Sequence, residues 1–254
     1  YPVYVDGSVI SGATGGFNQS KGQFDGIRYM KCTPENHFFP DLNNLVRTDL
    51  IYFCSPNNPT GAVVTKKQLK QLVDFARKNN SIIIFDSAHS EYIKDKNLPK
   101  SIFEIEGARE VAIEVSSFSK LIGFTGVRLG WTVVPNELKF DDGTPVRNDW
   151  NRIMTTIFNG ASNIAQYGGL ASLDEKGLKE MKEQISYYME NAQIIKKGLD
   201  AAGFTLEPVV NLLNPALAHF QRLFQLNTHS RGKLDSADRL AGNYFKNTRP
   251  FETI

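Results

Sequence analysis

Ser116-Ser-Phe-Ser-Lys120 sets one lysine behind a run of small hydroxyl side chains, and Gly123-Phe-Thr-Gly-Val-Arg-Leu-Gly130 follows it. A lysine flanked in this way is open to a flat ligand. Once burial or a cationic neighbour lowers its pKa, the amine can form an imine with an aldehyde. Arg128 lies eight residues further on, and a guanidinium grips a phosphate through two parallel N–H bonds. Ser117 and Ser119 can donate hydroxyls to the same phosphate. Asp86 closes the run Ser81-Ile-Ile-Ile-Phe-Asp86. A carboxylate at the end of a buried strand needs a cation, such as a protonated ring nitrogen, or a role capping the next turn. Asn57-Asn58-Pro-Thr-Gly61 has turn composition, and an amide there can reach a ring oxygen. Taken singly, each signal has a plain alternative: a surface lysine by a glycine loop, an aspartate cap, an Asn-Pro turn.

The elements that must position these groups follow from periodicity. Residues 49–53 form an apolar, β-rich run that ends in Cys-Ser-Pro-Asn-Asn-Pro-Thr-Gly, a strand entering a turn. Thr65-Lys-Lys-Gln68 is a capping-box pattern, and Leu69, Leu72, Val73 and Ala76 recur behind it at helical spacing. Residues 81–86 read as a strand buried on both faces, with further strands at 111–115 and 129–134. This alternation predicts an α/β fold, a mostly parallel sheet flanked by helices. Chemistry in such sheets gathers at the carboxyl ends of the strands, where Asn58, Asp86 and Ser116–Lys120 all fall. Leu178, Met181, Ile185, Met189, Ala192 and Leu199 repeat at threes and fours along residues 175–202, a long helix with Gly203 at its C-terminal cap. After Pro208 no clear pattern continues.

The bulk properties exclude several classes. A formal charge of +2 from 29 basic and 27 acidic residues does not suit a nucleic-acid binder. Cys32 and Cys54 form neither a metal-ligand spacing nor a disulfide framework, so two buried core thiols in a reducing compartment are expected. No metal site and no apolar run of membrane-spanning length is found. The first residue is Tyr1 rather than Met, which reads as a piece or processed product of a longer chain.

The ordered set Ser-Pro-Asn-Asn-Pro-Thr-Gly, Phe-Asp-Ser-Ala, Ser-Ser-Phe-Ser-Lys and Gly-Val-Arg-Leu-Gly-Trp resembles the class I/II aminotransferases, pyridoxal-phosphate-dependent enzymes of fold type I. Tyr1-Pro-Val-Tyr-Val-Asp, Pro34-Glu-Asn36 with Phe38-Phe-Pro-Asp-Leu, Lys100-Ser-Ile-Phe-Glu-Ile and Phe158-Asn-Gly-Ala-Ser-Asn163 are similar to the LL-diaminopimelate aminotransferase subfamily. The resemblance implies transfer of an amino group between LL-2,6-diaminopimelate and 2-oxoglutarate in lysine biosynthesis. It implies that Lys120 forms the imine with pyridoxal 5'-phosphate and moves the substrate proton. Asp86 would pair with the ring nitrogen, and Asn58 would donate to the ring phenolate. Ser117 and Arg128 would hold the phosphate, and Tyr1 would stack on the ring. Asn36 would contact substrate. Asn159 would do so or help the phosphate site, in a homodimer whose partner chain completes the site. The large domain would span 1–174, incomplete at its N-terminus. Residues 175–254 would be an interdomain helix and part of a divergent small domain. The compartment implied is the cytoplasm or the plastid stroma.

Three departures accompany the resemblance. His89 stands where the family carries tyrosine, and an imidazole titrates near neutrality. The family's N-terminal phosphate-binding turn has no counterpart. Arg222, Arg231, Arg239 and Arg249 do not sit in the context of the family's carboxylate-binding arginine. Two other readings therefore stand beside the first: an aminotransferase for an aromatic amino acid or alanine, and a catalytically silent protein of the same fold. A nucleotide-binding α/β domain is a weaker reading, because the sequence has no glycine-rich phosphate turn after its first strand.

Overall fold

The computed structural model describes residues 1–203. Helix α1 (Pro2–Ile10) opens the chain with proline in its first turn, where the missing N–H costs nothing. A small hairpin of β1 (Phe17–Asn18) and β2 (Gln23–Phe24) follows. Short 3-10 turns at Pro34–Asn36 and Leu42–Asn44 then lead into the sheet.

Four strands lie side by side in chain order: β3 (Leu50–Cys54), β4 (Ile82–Asp86), β5 (Ala112–Ser117) and β6 (Gly130–Val133). The first three run parallel, and β6 returns antiparallel to β5. Helix α2 (Lys66–Asn79) makes the crossover from β3 to β4. Its capping box forms as expected. The Gln68 N–H donates to Thr65 Oγ1 at 3.2 Å, and the Thr65 N–H donates to Gln68 Oε1 at 2.9 Å. Leu69, Leu72, Val73 and Ala76 are all fully buried in one cluster with Ile51, Phe53, Ile83, Phe85 and Ala112. Each of the larger side chains contributes about 1.5–3 kcal/mol of burial, so this cluster holds the crossover to the sheet.

The expectation for β4 needs correction. Ile83 and Phe85 are buried, but Ile82, Ile84 and Asp86 are only half-buried. One face lies in the α2 cluster. On the other, Ile84 pairs with Tyr52, whose ring is covered by the ring of Tyr4 from α1, a thin cover rather than a packed layer. The cysteines also differ from expectation. Cys54 is buried, whereas Cys32 is exposed on a stretch outside any helix or strand.

Buried Glu114 on β5 fastens two loops. Its Oε1 accepts from Ser87 Oγ at 3.2 Å, and its Oε2 accepts from Ser101 Oγ at 2.6 Å and the Ile102 N–H at 3.0 Å. Burial pushes its carboxyl above the usual range despite these donors.

The short helix α3 (Phe118–Leu121) continues β5 directly. Helix α4 (Val146–Ile153) widens into a π turn at Met154–Phe158, and α5 (Asn163–Ser172) follows. Helix α6 (Glu175–Ala201) is 27 residues long, and Gly203 takes φ 82° beyond its end, as a C-terminal cap requires. Met181 and Ile185 of α6 pack on Tyr92 and Ile93. Among the described residues no helix is long and apolar enough to cross a membrane. The segment after Pro208, with Arg222, Arg231, Arg239 and Arg249, lies outside the described residues.

Candidate functional site

The three parallel strands are in register toward their carboxyl ends, where β5 runs on two residues further to Ser117. Cys54 pairs with Asp86, and Asp86 pairs with Val115. The ladder extends one step further, with the Ser55 N–H bonded to the Asp86 carbonyl at 3.1 Å and the Ser87 N–H to the Val115 carbonyl at 2.9 Å. The Asn58 turn, the Asp86 carboxylate and the Lys120 turn therefore leave the sheet from one edge.

In the first turn the two asparagines separate. Asn57 Oδ1 accepts from Thr60 Oγ1 at 2.9 Å, and the Asn57 carbonyl accepts from the Gly61 N–H at 2.7 Å, so Asn57 builds the turn itself. The side chain of half-buried Asn58 makes no hydrogen bond among the described residues, which leaves its amide available.

Asp86 is held from two sides. Its Oδ1 accepts the Ala88 N–H at 3.0 Å, so the capping role is realised. Its Oδ2 accepts Tyr4 Oη at 2.7 Å, a partner that the sequence reading passed over. The Tyr4 ring lies stacked on Tyr52 at 5.1 Å and meets the Tyr1 ring edge-on at 5.8 Å. Burial first, then Cys54 and the Asp86 carboxylate, push the Tyr4 phenol far above its ordinary value. The Cys54 thiol beside it is pushed up to about 11, chiefly by burial. The missed signal was the spacing Tyr-Pro-Val-Tyr: in a helix, residues three apart share a face.

His89 is 7% exposed, and its Nδ1 is buried without a hydrogen-bond partner among the described residues. Burial pulls its pKa down and Lys120 adds to this, while the Asp86 carboxylate opposes it. The ring is therefore neutral at pH 7, and its titration moves below the neutral range expected for an ordinary imidazole.

Lys120 is half-buried in α3. Its carbonyl accepts Tyr92 Oη at 3.1 Å, and Ser117 Oγ caps the turn by accepting the Ser119 N–H at 3.0 Å. The loop that follows is closed by Thr125 Oγ1 donating to the Ser119 carbonyl at 3.3 Å. Arg128 sits in the left-handed region at φ 63°, exposed, with Nη1 donating to the Thr125 carbonyl at 2.6 Å. Gly130 is fixed by space, because a Cβ there would meet the Ser116 carbonyl oxygen at 2.8 Å.

The edge thus gathers Asn58, Asp86, His89, Ser117, Lys120 and Arg128, with Tyr1 attached through Tyr4. Two other residues are engaged elsewhere. Asn36 accepts the Thr33 N–H and donates to the Lys31 carbonyl, both at 2.8 Å, so its amide is spent on its own turn. Asn159 is exposed at φ 59° and closes the π turn through its N–H to the Met154 carbonyl at 2.8 Å. The arrangement is an amine, a carboxylate, an imidazole nitrogen without a partner and a free amide at one edge of the sheet, with an exposed guanidinium on the loop that follows the lysine.

The sequence matches the family described as aminotransferase class I and II over residues 18–211. It is 59% identical over 204 residues to an LL-diaminopimelate aminotransferase of Protochlamydia amoebophila, covering 80% of this chain and 50% of that protein. It is 58% identical over 204 residues to the chloroplastic LL-diaminopimelate aminotransferase of Arabidopsis thaliana, covering 80% and 44%. The solved L,L-diaminopimelate aminotransferase from Chlamydomonas reinhardtii superposes with a TM-score of 0.77 at 61% identity, covering 81% of this chain and 50% of that one. The chain spans about half the length of the curated relatives it matches.

Proposed function

The chain belongs to the class I and II aminotransferases and has their mixed sheet flanked by helices, and from that membership we propose that it serves a transaminase exchanging an amino group between LL-2,6-diaminopimelate and 2-oxoglutarate, with pyridoxal 5'-phosphate as cofactor. The observation that carries the reading is the register of three parallel strands, whose carboxyl ends put Asn58, Asp86 and the Lys120 turn at one edge of the sheet. The identity of 58–59% to enzymes named for that substrate supports the choice of amino donor. On this reading the activity serves lysine biosynthesis.

The residues present fit such a cofactor. The buried, unpartnered Nδ1 of His89 is a polar group that a bound ring oxygen would satisfy. When bound, pyridoxal phosphate supplies an electron sink for the negative charge that develops at the substrate α-carbon. Lys120 Nζ would hold the cofactor through its aldehyde carbon and, once the substrate amine has displaced it, would be the free amine that takes the α-proton and returns it. The Asp86 carboxylate would accept a hydrogen bond from the protonated ring nitrogen. Asn58 and His89 would donate to the ring phenolate oxygen, His89 as a neutral imidazole with its proton on Nδ1. Ser117 Oγ and the Arg128 guanidinium would hold the phosphate, for which Arg128 would exchange its bond to the Thr125 carbonyl. The Tyr1 ring would cover the cofactor. Asn36 reaches substrate only by giving up its bonds to Thr33 and Lys31.

Asn159 lies beside a run of exposed apolar side chains, Ile157, Phe158, Ile164 and Tyr167. We assign that surface to a second copy of the chain, so that Asn159 serves the partner's site in a homodimer. Residues 1–174 then form the large domain, and 175–254 the connecting helix with part of a small domain. Two plant relatives are named chloroplastic, which favours the plastid stroma over the cytoplasm in a plant source.

The test is an absorbance titration with pyridoxal phosphate, borohydride reduction and mapping of the modified residue. A transamination assay with diaminopimelate and 2-oxoglutarate accompanies it, on this chain and on one extended at both ends. Reduction should label Lys120, and Lys120→Ala should lose both the label and at least about 100-fold in rate. A label elsewhere, or none in either chain, rejects the cofactor assignment. Turnover of an aromatic donor in preference to diaminopimelate rejects the substrate.

A further inference from the structure

We propose that Tyr4 is a positioning residue for the cofactor ring nitrogen, acting through Asp86; the proposal rests on the pyridoxal phosphate reading above. The carboxylate of Asp86 has about four acceptor sites. One is taken by the Ala88 N–H on Oδ1 and one by Tyr4 Oη on Oδ2. The first bond is local, two residues along the chain, and on its own leaves the carboxylate free to swing about its Cβ–Cγ bond. The second spans 82 residues and comes from a different element. Together they fix the plane of the carboxylate and still leave a lone pair on each oxygen for a third N–H.

Tyr4 is itself held. Its ring lies nearly parallel to Tyr52, at an interplanar angle of 10°, and Tyr52 stands on β3 directly beside the β4 strand that ends in Asp86. The hydroxyl is therefore placed by the sheet it serves, not only by α1. Helix α1 buries none of its residues fully, so the Tyr4 ring stack and hydroxyl bond are specific ties between that helix and the site edge. Burial keeps the phenol protonated well into alkaline solution, so Tyr4 Oη has a proton to donate to the carboxylate throughout the working range. Tyr1, edge-on to Tyr4, joins the same chain of contacts. One helix turn thus carries both the ring proposed to cover the cofactor and the hydroxyl that aims its counter-ion.

The experiment compares pyridoxal phosphate with 1-deazapyridoxal phosphate, in which a C–H replaces the ring nitrogen. Their dissociation constants are measured by absorbance titration on the parent chain, Tyr4→Phe, Asp86→Asn and the double variant. Tyr4→Phe keeps the ring and its stack on Tyr52, and urea unfolding without ligand checks that each variant is folded. The parent should prefer pyridoxal phosphate over the deaza analogue. Tyr4→Phe should shrink that preference roughly tenfold, the scale of one charge-assisted hydrogen bond, while binding the analogue as the parent does. Asp86→Asn should remove the preference, and adding Tyr4→Phe to it should change nothing more. Equal weakening of both ligands by Tyr4→Phe would make Tyr4 a packing residue and overturn the proposal, as would an unchanged preference. A further loss of preference in the double variant would overturn it too. Failure of the parent chain to bind pyridoxal phosphate at all sinks the cofactor reading, and this proposal with it. Loss of the Tyr4 effect alone leaves that reading standing.

Discussion

At the scale of single residues, His89 ties the fold to solution pH. Its folded pKa lies below its unfolded value near 6.5, so the unfolded chain takes up a proton more readily. The stability this ring contributes is complete above about pH 6.5 and is lost as pH falls toward the folded pKa, by up to about 1.4 kcal/mol per pH unit. Urea unfolding at pH 7.5 and 5.5 should show that loss in the parent and a smaller one in His89→Tyr. Equal losses would mean that other groups dominate the acid limb. The same substitution should alter the pH titration of the bound-cofactor absorbance if His89 faces the phenolate. Residue types and spacing made Lys120, Asp86 and Arg128 legible as candidates, because amine, carboxylate and guanidinium chemistry can be read from composition. Which of Asn57 and Asn58 keeps a free amide could not be read, since that depends on which one closes the turn with Thr60 and Gly61. The spacing Tyr-Pro-Val-Tyr puts Tyr4 on the face of Tyr1, but its bond to Asp86 was out of reach of the sequence for a related reason, since that partner lies 82 residues away.

Among the elements, α2 was readable almost to the residue. The Thr65 capping box and the 69-72-73-76 stripe are local signals, and the structure uses both. Thr65→Ala should lower the unfolding free energy by about 1 kcal/mol, seen as a lower urea midpoint with an unchanged slope. Strand β4 was located correctly, but its two faces were not, because three consecutive isoleucines do not say which side α2 will cover. The β5–β6 pair carries the sharpest steric constraint near the site. Gly130→Ala would drive a Cβ against the Ser116 carbonyl, and one strand must shift. A cost of about 1–3 kcal/mol is expected, together with weaker borohydride labelling of Lys120, since β5 runs directly into α3. Normal stability with normal labelling would show that β6 moves aside freely.

For the whole molecule, the surface matters as much as the core. Ile164 is 87% exposed, and Tyr167 and Leu170 on the same helix are also largely exposed. In the homodimer proposed above, this surface is the subunit contact. Ile164→Lys should move the chain toward monomer in sedimentation velocity at micromolar concentration without lowering its urea midpoint. An unchanged distribution would place the subunit contact elsewhere. Such an interface is hard to see in sequence, because α5 has the same apolar residues that a buried helix would have. Helix α6, by contrast, announced itself through its length and repeat. Its Met181 and Ile185 lie over Tyr92, and Tyr92 Oη holds the carbonyl of Lys120. The helix therefore gives apolar cover to the ring whose hydroxyl makes that bond. If the chain were cut before residue 175, the Tyr92 ring would lose that apolar cover, and solvent would compete for the bond that ties its hydroxyl to the turn carrying the lysine.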